Sequence, residues 1–498
     1  MLNRGCGIIM PVFSLPSPHG IGTLGQAAYD FADFLAAAGQ SYWQMLPLGP
    51  TCCGDSPYSA SSSAAGNPYL IDLDELAERG LLSPGEIGDD WGDDARQVDY
   101  TKLYDHRLEL LALAKSRGWD AERDKIAEFR RENARWLEDY ALYSALKEHF
   151  DMKPWNEWPD EGARRRDPAA LDRYRDMLRE QIELHIFVQY LFYSQWGALK
   201  KHINSLGIKI IGDLPIYVSL DSADVWSEPQ FFALDSRLVP CEVAGVPPDY
   251  FSEKGQLWGN PLYDYDKMRA DGFGWWIRRV SCMQRLYDVV RIDHFRGLES
   301  YWAVPNGAED ARSGHWVKGP GMSLVGVLTS WFCGMDFIAE DLGIMTPGVQ
   351  ALLRESGLPG MKVLEFAFDP SGTSSYLPHN YTDPNCVCYT GTHDNSPLAL
   401  WLQEAAPEEL DLARRYFGID KNKDLPAAML RGGMASTARL FMAQMQDYLG
   451  LGEGCRTNVP GVAQGNWRWR MLPGEATAEL AQRLRAEARL YGRESVAK

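Results

Sequence analysis

Four acidic residues each follow a short apolar run, and an acid where a chain leaves the core is costly to place unless it is used. Asp293 ends VVRID (289–293), Glu340 follows MDFIA (335–339), Asp394 follows CVCYTGTH (386–393) and Asp213 follows KIIG (209–212). Apolar, β-branched runs of this length read as buried parallel strands. Acids at the C-terminal ends of such strands can supply a nucleophile, a general acid and an electrostatic stabiliser, which is the apparatus of glycoside chemistry.

The neighbours of these acids refine the reading. Arg291 and Asp293 are two apart on a strand and project to one side. An arginine there keeps the carboxylate ionised and oriented, as a nucleophile needs, although a buried ion pair closing the strand end has the same sequence. Glu340 has an apolar approach (Phe337, Ile338, Ala339) that raises a carboxyl pKa by desolvation, as a general acid needs. Asp341 is expected to turn into polar loop contacts or to cap a helix. TGTHDNS (390–396) follows a strand with a histidine and an acid, a pattern that a turn with Asx capping shares. His393–Asp394 and the neighbourhood of His294 lack metal-ligand spacing, so no metal is expected, and glycoside chemistry carried by carboxylates needs no organic cofactor.

These acids must be held by a scaffold. Candidate strands are 7–13, 41–48, 209–218, 289–295, 335–341, 361–368, 386–393 and 456–462, separated by helical patterns such as 25–39, 275–288 and 434–450. Eight strands alternating with helices predict a (β/α)₈ barrel spanning 1–498 as a single catalytic domain. Residues 72–206 are too long for one crossover and read as a mainly helical insertion between strands 2 and 3. Only 36 residues follow the candidate eighth strand, which leaves no room for a C-terminal β-sandwich. The segments 246–266 (Tyr250, Phe251, Trp258, Tyr263) and 459–470 (Trp467, Trp469) read as active-site rim loops. Their aromatic faces suit the apolar faces of sugar rings, and Asn, Gln and Ser suit the hydroxyls.

Composition narrows the partners. With 50 Lys+Arg against 68 Asp+Glu, the net charge is −18, which argues against nucleic acid and anionic membranes and is compatible with a neutral substrate. No apolar run reaches the roughly 18 residues of a membrane span. CGIIMPVF (6–13) is short, is broken by Pro11 and lacks a cleavage site, so no export signal is expected. Nine scattered cysteines without metal spacing fit reduced thiols in a cytoplasmic protein.

At these motifs the chain resembles the 4-α-glucanotransferases (amylomaltases or disproportionating enzymes), glycoside hydrolase family 77. The resemblance runs through SLPSPHGIGTLG (14–25), QMLPLGPT (44–51), DSPYSASSSAAGNPYLIDL (55–73), GDLPIYV, PPDYFSEKGQLWGNP, RIDHFRG, AEDLG and GTHDN, nearly the whole chain. It implies Asp293 as nucleophile, Glu340 as general acid/base and Asp394 as transition-state stabiliser. It implies further that Asp213, Arg291, His294, His393 and Tyr58 surround the same sugar, and that Phe251 and Trp258 lie across the acceptor side. The implied substrates are α-1,4-glucans (maltodextrins, maltose, or chains from glycogen or starch) as both donor and acceptor. A maltodextrin hydrolase and a non-catalytic glucan-binding protein are the alternatives.

Overall fold

The computed structural model describes residues 2–248 and 252–495. Its twelve strands among these residues are β1 (Gly5–Ile9), β2 (Tyr42–Gln44), β3 (Lys209–Leu214), β4 (Glu242–Val246), β5 (Gln256–Pro261), β6 (Val289–Ile292), β7 (Ser300–Pro305), β8 (His315–Lys318), β9 (Asp336–Ala339), β10 (Gly360–Val363), β11 (Cys386–Tyr389) and β12 (Leu440–Gln444). Eight of them form one parallel sheet in the order β10-β11-β12-β1-β2-β3-β6-β9. The two ends of the sheet meet. Ala339 N–H donates to the Pro359 carbonyl at 2.9 Å, and the Asp341 carboxylate accepts from Met361 N–H at 2.6 Å. A Cβ on Gly360 would fall 2.7 Å from that carboxylate, so a larger residue there would displace Asp341 from the seam. The result is the expected (β/α)₈ barrel.

Strand periodicity sorts the barrel residues. Ile9, Tyr42, Ile211, Val289, Ile338, Met361, Val363, Val387, Tyr389, Leu440 and Met442 fill the interior. Their sequence neighbours, among them Ile8, Ile210, Val290, Phe337, Cys388 and Phe441, face the surrounding helices. Each fully buried aliphatic side chain of this size contributes about 1.5–3 kcal/mol. Because both faces are buried, the strands show no polar alternation in sequence.

The eighth strand differs from expectation. It is Leu440–Gln444, inside the segment 434–450 that reads as helical, whereas 456–462 is loop. Pro460 and Gly461 are incompatible with a central ladder. Ala, Met and Leu favour helix locally, but burial against β1 and β11 decides the outcome. The chain therefore continues 54 residues beyond Gln444, and among the described residues it forms no further strand.

Between β2 and β3 lie eight α-helices, the longest being Arg179–Ser205 and Tyr100–Gly118. Arg179–Ser205 packs against the barrel helix Gln26–Ala37 and leads directly into β3. A second, antiparallel sheet, β5-β4-β7-β8, was not visible in the sequence. It includes part of 246–266, expected as loop: 256–261 is β5, and a helix starts at Tyr265.

Candidate active site

Inward-facing positions continue past the apolar layer and turn polar. Ile211 is followed two residues on by Asp213, Val289 by Arg291 and then Asp293, and Ile338 by Glu340. The two-residue period that buries the aliphatics thus delivers four ionisable groups to the C-terminal mouth. The ladder extends beyond the formal strand ends: Asp293 N–H donates to Leu214 O and Glu340 N–H to Ile292 O, both at 3.0 Å. These bonds fix both acids to the barrel rim.

Arg291 is the hub. It sits opposite Asp213 in the β3–β6 register. Its Nη1 donates to both Asp213 oxygens (2.8 and 2.6 Å) and to Asp293 Oδ1 (3.0 Å). Its closest pairing is therefore with Asp213, whose side chain is wholly buried, and its bond to Asp293 is the longest of the three. Tyr58 OH also donates to Asp213, at 2.6 Å. Asp293 keeps 27 % of its side chain exposed to the cleft, so it is the member of this network that a ligand can reach. Burial raises the Asp293 pKa well above the usual carboxylate range, Arg291 opposes this, and Asp213, Glu340 and Asp394 add to it. The expectation that the arginine keeps Asp293 ionised captures one of these effects; burial and the neighbouring acids work against it.

Glu340 is held by backbone. Its Oε2 accepts from His294 N–H at 2.8 Å and its Oε1 from Leu342 N–H at 2.7 Å. The first bond depends on His294 adopting a left-handed conformation (φ 50°, ψ 46°), which is strained for a non-glycine residue and aims its N–H across to β9. Burial raises the Glu340 pKa, while Arg291 and the two N–H groups oppose that rise. This matches the apolar approach read in the sequence. The His294 imidazole, desolvated and near Arg296, is pushed down to about 3 and is neutral in the working range. Trp258 stands edge-on over it at 4.8 Å.

Asp394 lies in the turn after β11, with 42 % of its side chain exposed. Asn458 Nδ2 donates to its Oδ1 at 2.6 Å, and Arg456 Nη2 donates to its backbone carbonyl at 2.7 Å. Burial lowers the His393 pKa, with the charge of Asp394 opposing it, and its ring stacks on Tyr58 at 5.2 Å and 15°. Trp467 leans on both rings, at 5.9 and 6.0 Å.

The structure thus brings Tyr58, Asp213, Arg291, Asp293, His294, Glu340, His393, Asp394 and Trp258 to one cleft at the barrel mouth. Phe251 lies outside the described residues. Sequence reasoning missed Arg456 and Asn458, which the false strand 456–462 concealed. The Asn-x-Pro-Gly turn was the available signal. No group of three or more His, Cys, Asp or Glu among the described residues is arranged to hold a metal ion. The carboxylates of the cleft are engaged by Arg291, Tyr58, backbone N–H groups and Asn458 instead.

Comparison with known proteins identifies the family. The family model described as 4-alpha-glucanotransferase, glycoside hydrolase family 77, matches residues 10–476. The 4-alpha-glucanotransferase of Thermus thermophilus is 48 % identical over 497 residues, covering 98 % of each chain. That of Clostridium butyricum is 42 % identical over 487 residues, covering 97 % of this chain and all of the relative. The solved structure of Streptococcus agalactiae amylomaltase in complex with acarbose superposes with a TM-score of 0.96 at 40 % identity, covering 99 % of this chain and 100 % of the other. The barrel, its acidic mouth and these full-length matches together establish that the chain belongs to the 4-alpha-glucanotransferase family and is an enzyme of that type.

Proposed function

We propose that the enzyme moves α-1,4-glucan segments from a donor maltodextrin to the 4-hydroxyl of an acceptor glucan or glucose, with retention through a covalent glycosyl-aspartate. The observation that carries this reading is the convergence of Asp293, Glu340 and Asp394 on one cleft, with Arg291 hydrogen-bonded to Asp293. Crowded acids at such a site hold one proton more readily than they lose both. The charge of Arg291 lowers both pKa values, but of the two acids only Asp293 accepts its hydrogen bond, which favours leaving the charge on Asp293 and the proton on Glu340.

The steps follow. Asp293 attacks the anomeric carbon as Glu340 gives its proton to the departing 4-oxygen, so the C1–O4 bond breaks and a C1–carboxylate bond forms. This requires carboxyl groups about 5 Å apart. Glu340 then takes the proton of an incoming 4-hydroxyl, whose oxygen displaces Asp293. Asp394 holds the sugar hydroxyls as the ring flattens toward an oxocarbenium ion, an interaction that strengthens in the transition state. Tyr58, Asp213, His294 and His393 shape the donor sugar's site, and Trp258 and Phe251 cover the acceptor side.

In this reading 1–498 is one catalytic domain, 72–206 its helical insertion, and 246–266, which includes β5, and 459–470 its rim segments, which favour a sugar acceptor over water. No cofactor takes part. The reading includes a cytoplasmic location. It is supported by the free thiols of Cys6, Cys241, Cys282, Cys333, Cys386, Cys388 and Cys455.

Maltotriose is the discriminating substrate. Transfer conserves glycosidic bonds, so glucose and a ladder of longer maltodextrins should appear while total reducing ends stay nearly constant. A steady rise in reducing ends would identify a hydrolase instead.

A further inference from the structure

Asp394 raises a question that its assigned role leaves open: what holds an acid on an exposed turn in one rotamer? The cation-forming side chain nearest its carboxylate, His393, offers its Nε2 only at 3.4 Å, and burial lowers the imidazole pKa. The short contacts come from the segment after β12. Asn458 Nδ2 donates to Asp394 Oδ1 at 2.6 Å, and Arg456 Nη2 to Asp394 O at 2.7 Å. Arg456 also ties Ser396 Oγ at 3.0 Å, and its Nε donates to the Asn458 carbonyl at 2.8 Å. One guanidinium therefore fixes both the turn that carries Asp394 and the residue that hydrogen-bonds its carboxylate.

This segment is anchored from below and continues into the rim. Thr457 is buried, its Oγ1 accepts from Gln446 Nε2 at 3.1 Å, and its carbonyl accepts from Trp467 N–H at 2.8 Å. The residues between, with Val459 and Val462 exposed, project from this closed base.

We propose that Asn458 and Arg456 are positioning residues for transfer. Arg456 sets the height of the Asp394 turn, and the Asn458 amide occupies one carboxylate oxygen so that the other faces the sugar hydroxyls. The proposal rests on the reading of Asp394 as transition-state stabiliser. A hydrogen bond to a charged group that matters only in the transition state lowers kcat and kcat/KM together when it is removed.

The test uses the full-length enzyme on maltotriose with three variants. Asn458→Ala should lower kcat about 10- to 100-fold, as expected for loss of one hydrogen bond to a charged group, with KM little changed. Asn458→Asp keeps size and shape but sets two carboxylates at hydrogen-bond distance. Such a pair takes up one proton at acid pH, which restores a donor to Asp394, and releases it as pH rises. The groups facing the pair are Asp293, His393, Arg456, Tyr58 and, through Ser396 and Arg456, Glu404. Relative to wild type, this variant should gain activity as pH falls, a response that a purely structural lesion lacks. Asp394→Asn is the reference. If it abolishes turnover while Asn458→Ala stays within about twofold of wild type, or if Asn458→Asp follows the wild-type pH profile, the positioning role is wrong and the stabiliser stands. If Asp394→Asn itself leaves turnover intact, the stabiliser reading falls, and this inference with it.

Discussion

Replacing Arg291 by methionine, similar in length but neutral, probes the hub directly. The guanidinium is 4 % exposed and makes three hydrogen bonds, two of them to the fully buried Asp213. Its removal leaves Asp213 with Tyr58 OH as its one remaining donor and no counter-charge. Breaking a buried pair from one side costs about 3–5 kcal/mol. For 498 residues at about 2.1 cal/mol/K each, the unfolding entropy is about 1 kcal/mol/K, so the melting temperature should fall by about 3–5 °C. Activity should fall much further than stability, because Asp293, already pushed up by burial, loses the one group that opposes that rise. A second change, Asp213→Asn, removes the stranded charge. The double variant should therefore be more stable than Arg291→Met alone yet remain inactive, a non-additivity expected only of partners in contact. Differential scanning calorimetry and maltotriose turnover on the four proteins test this. A melting temperature for Arg291→Met within about 1 °C of wild type, or a double variant whose losses simply add, would refute the account of the hub.

Three further outcomes follow from the same structure. Burial raises the pKa of both Asp293 and Glu340, so both limbs of the kcat/KM profile should lie above the ordinary carboxylate values of about 4. Activity should fall on the acid side as Asp293 is protonated and on the alkaline side as Glu340 loses its proton. Asp447, buried beneath Thr390 and Leu398, is pushed up to about 6 by desolvation. A raised folded pKa stabilises the fold below the unfolded value of about 3.9 and loses that contribution as pH rises through about 6, a swing of about 3 kcal/mol. Asp447→Asn should therefore raise the melting temperature at pH about 7.5 and match wild type near pH about 4; an equal difference at both pH values speaks against it. If Trp258, which stands over His294, covers the acceptor side as proposed, Trp258→Ala should raise reducing ends from maltotriose relative to transfer products. An unchanged ratio would remove Trp258 from the control of acceptor choice.

The legible and illegible parts of the molecule differ in physical kind. Runs such as KIIGD and VVRID were readable because β-branched residues end abruptly in an acid, and the two-residue period then placed Asp213, Arg291 and Asp293 on one side of the barrel. Leu440–Gln444 was not readable. It is buried on both faces and built from helix-favouring Leu, Met, Ala and Gln, so neither period nor propensity marked it. The sheet β5-β4-β7-β8 was hidden because GQLWGNP is broken by glycine and proline and is held as a strand by its neighbour β4. The clamp on Asp394 was illegible for a third reason. Asn458 and Asp394 are 64 residues apart, and their contact exists only once the barrel closes.

The central claim is that Asp293 carries the sugar between donor and acceptor, and one measurement reaches it without kinetic inference. Glu340→Gln should accept an activated donor such as a maltotriosyl fluoride, whose departure needs little acid help, yet be unable to activate an acceptor hydroxyl for the second step. Intact-protein mass spectrometry should then show one maltotriosyl adduct, and peptide mapping should place it on Asp293. An adduct on another residue, or donor consumption with no adduct at any time, would contradict the account.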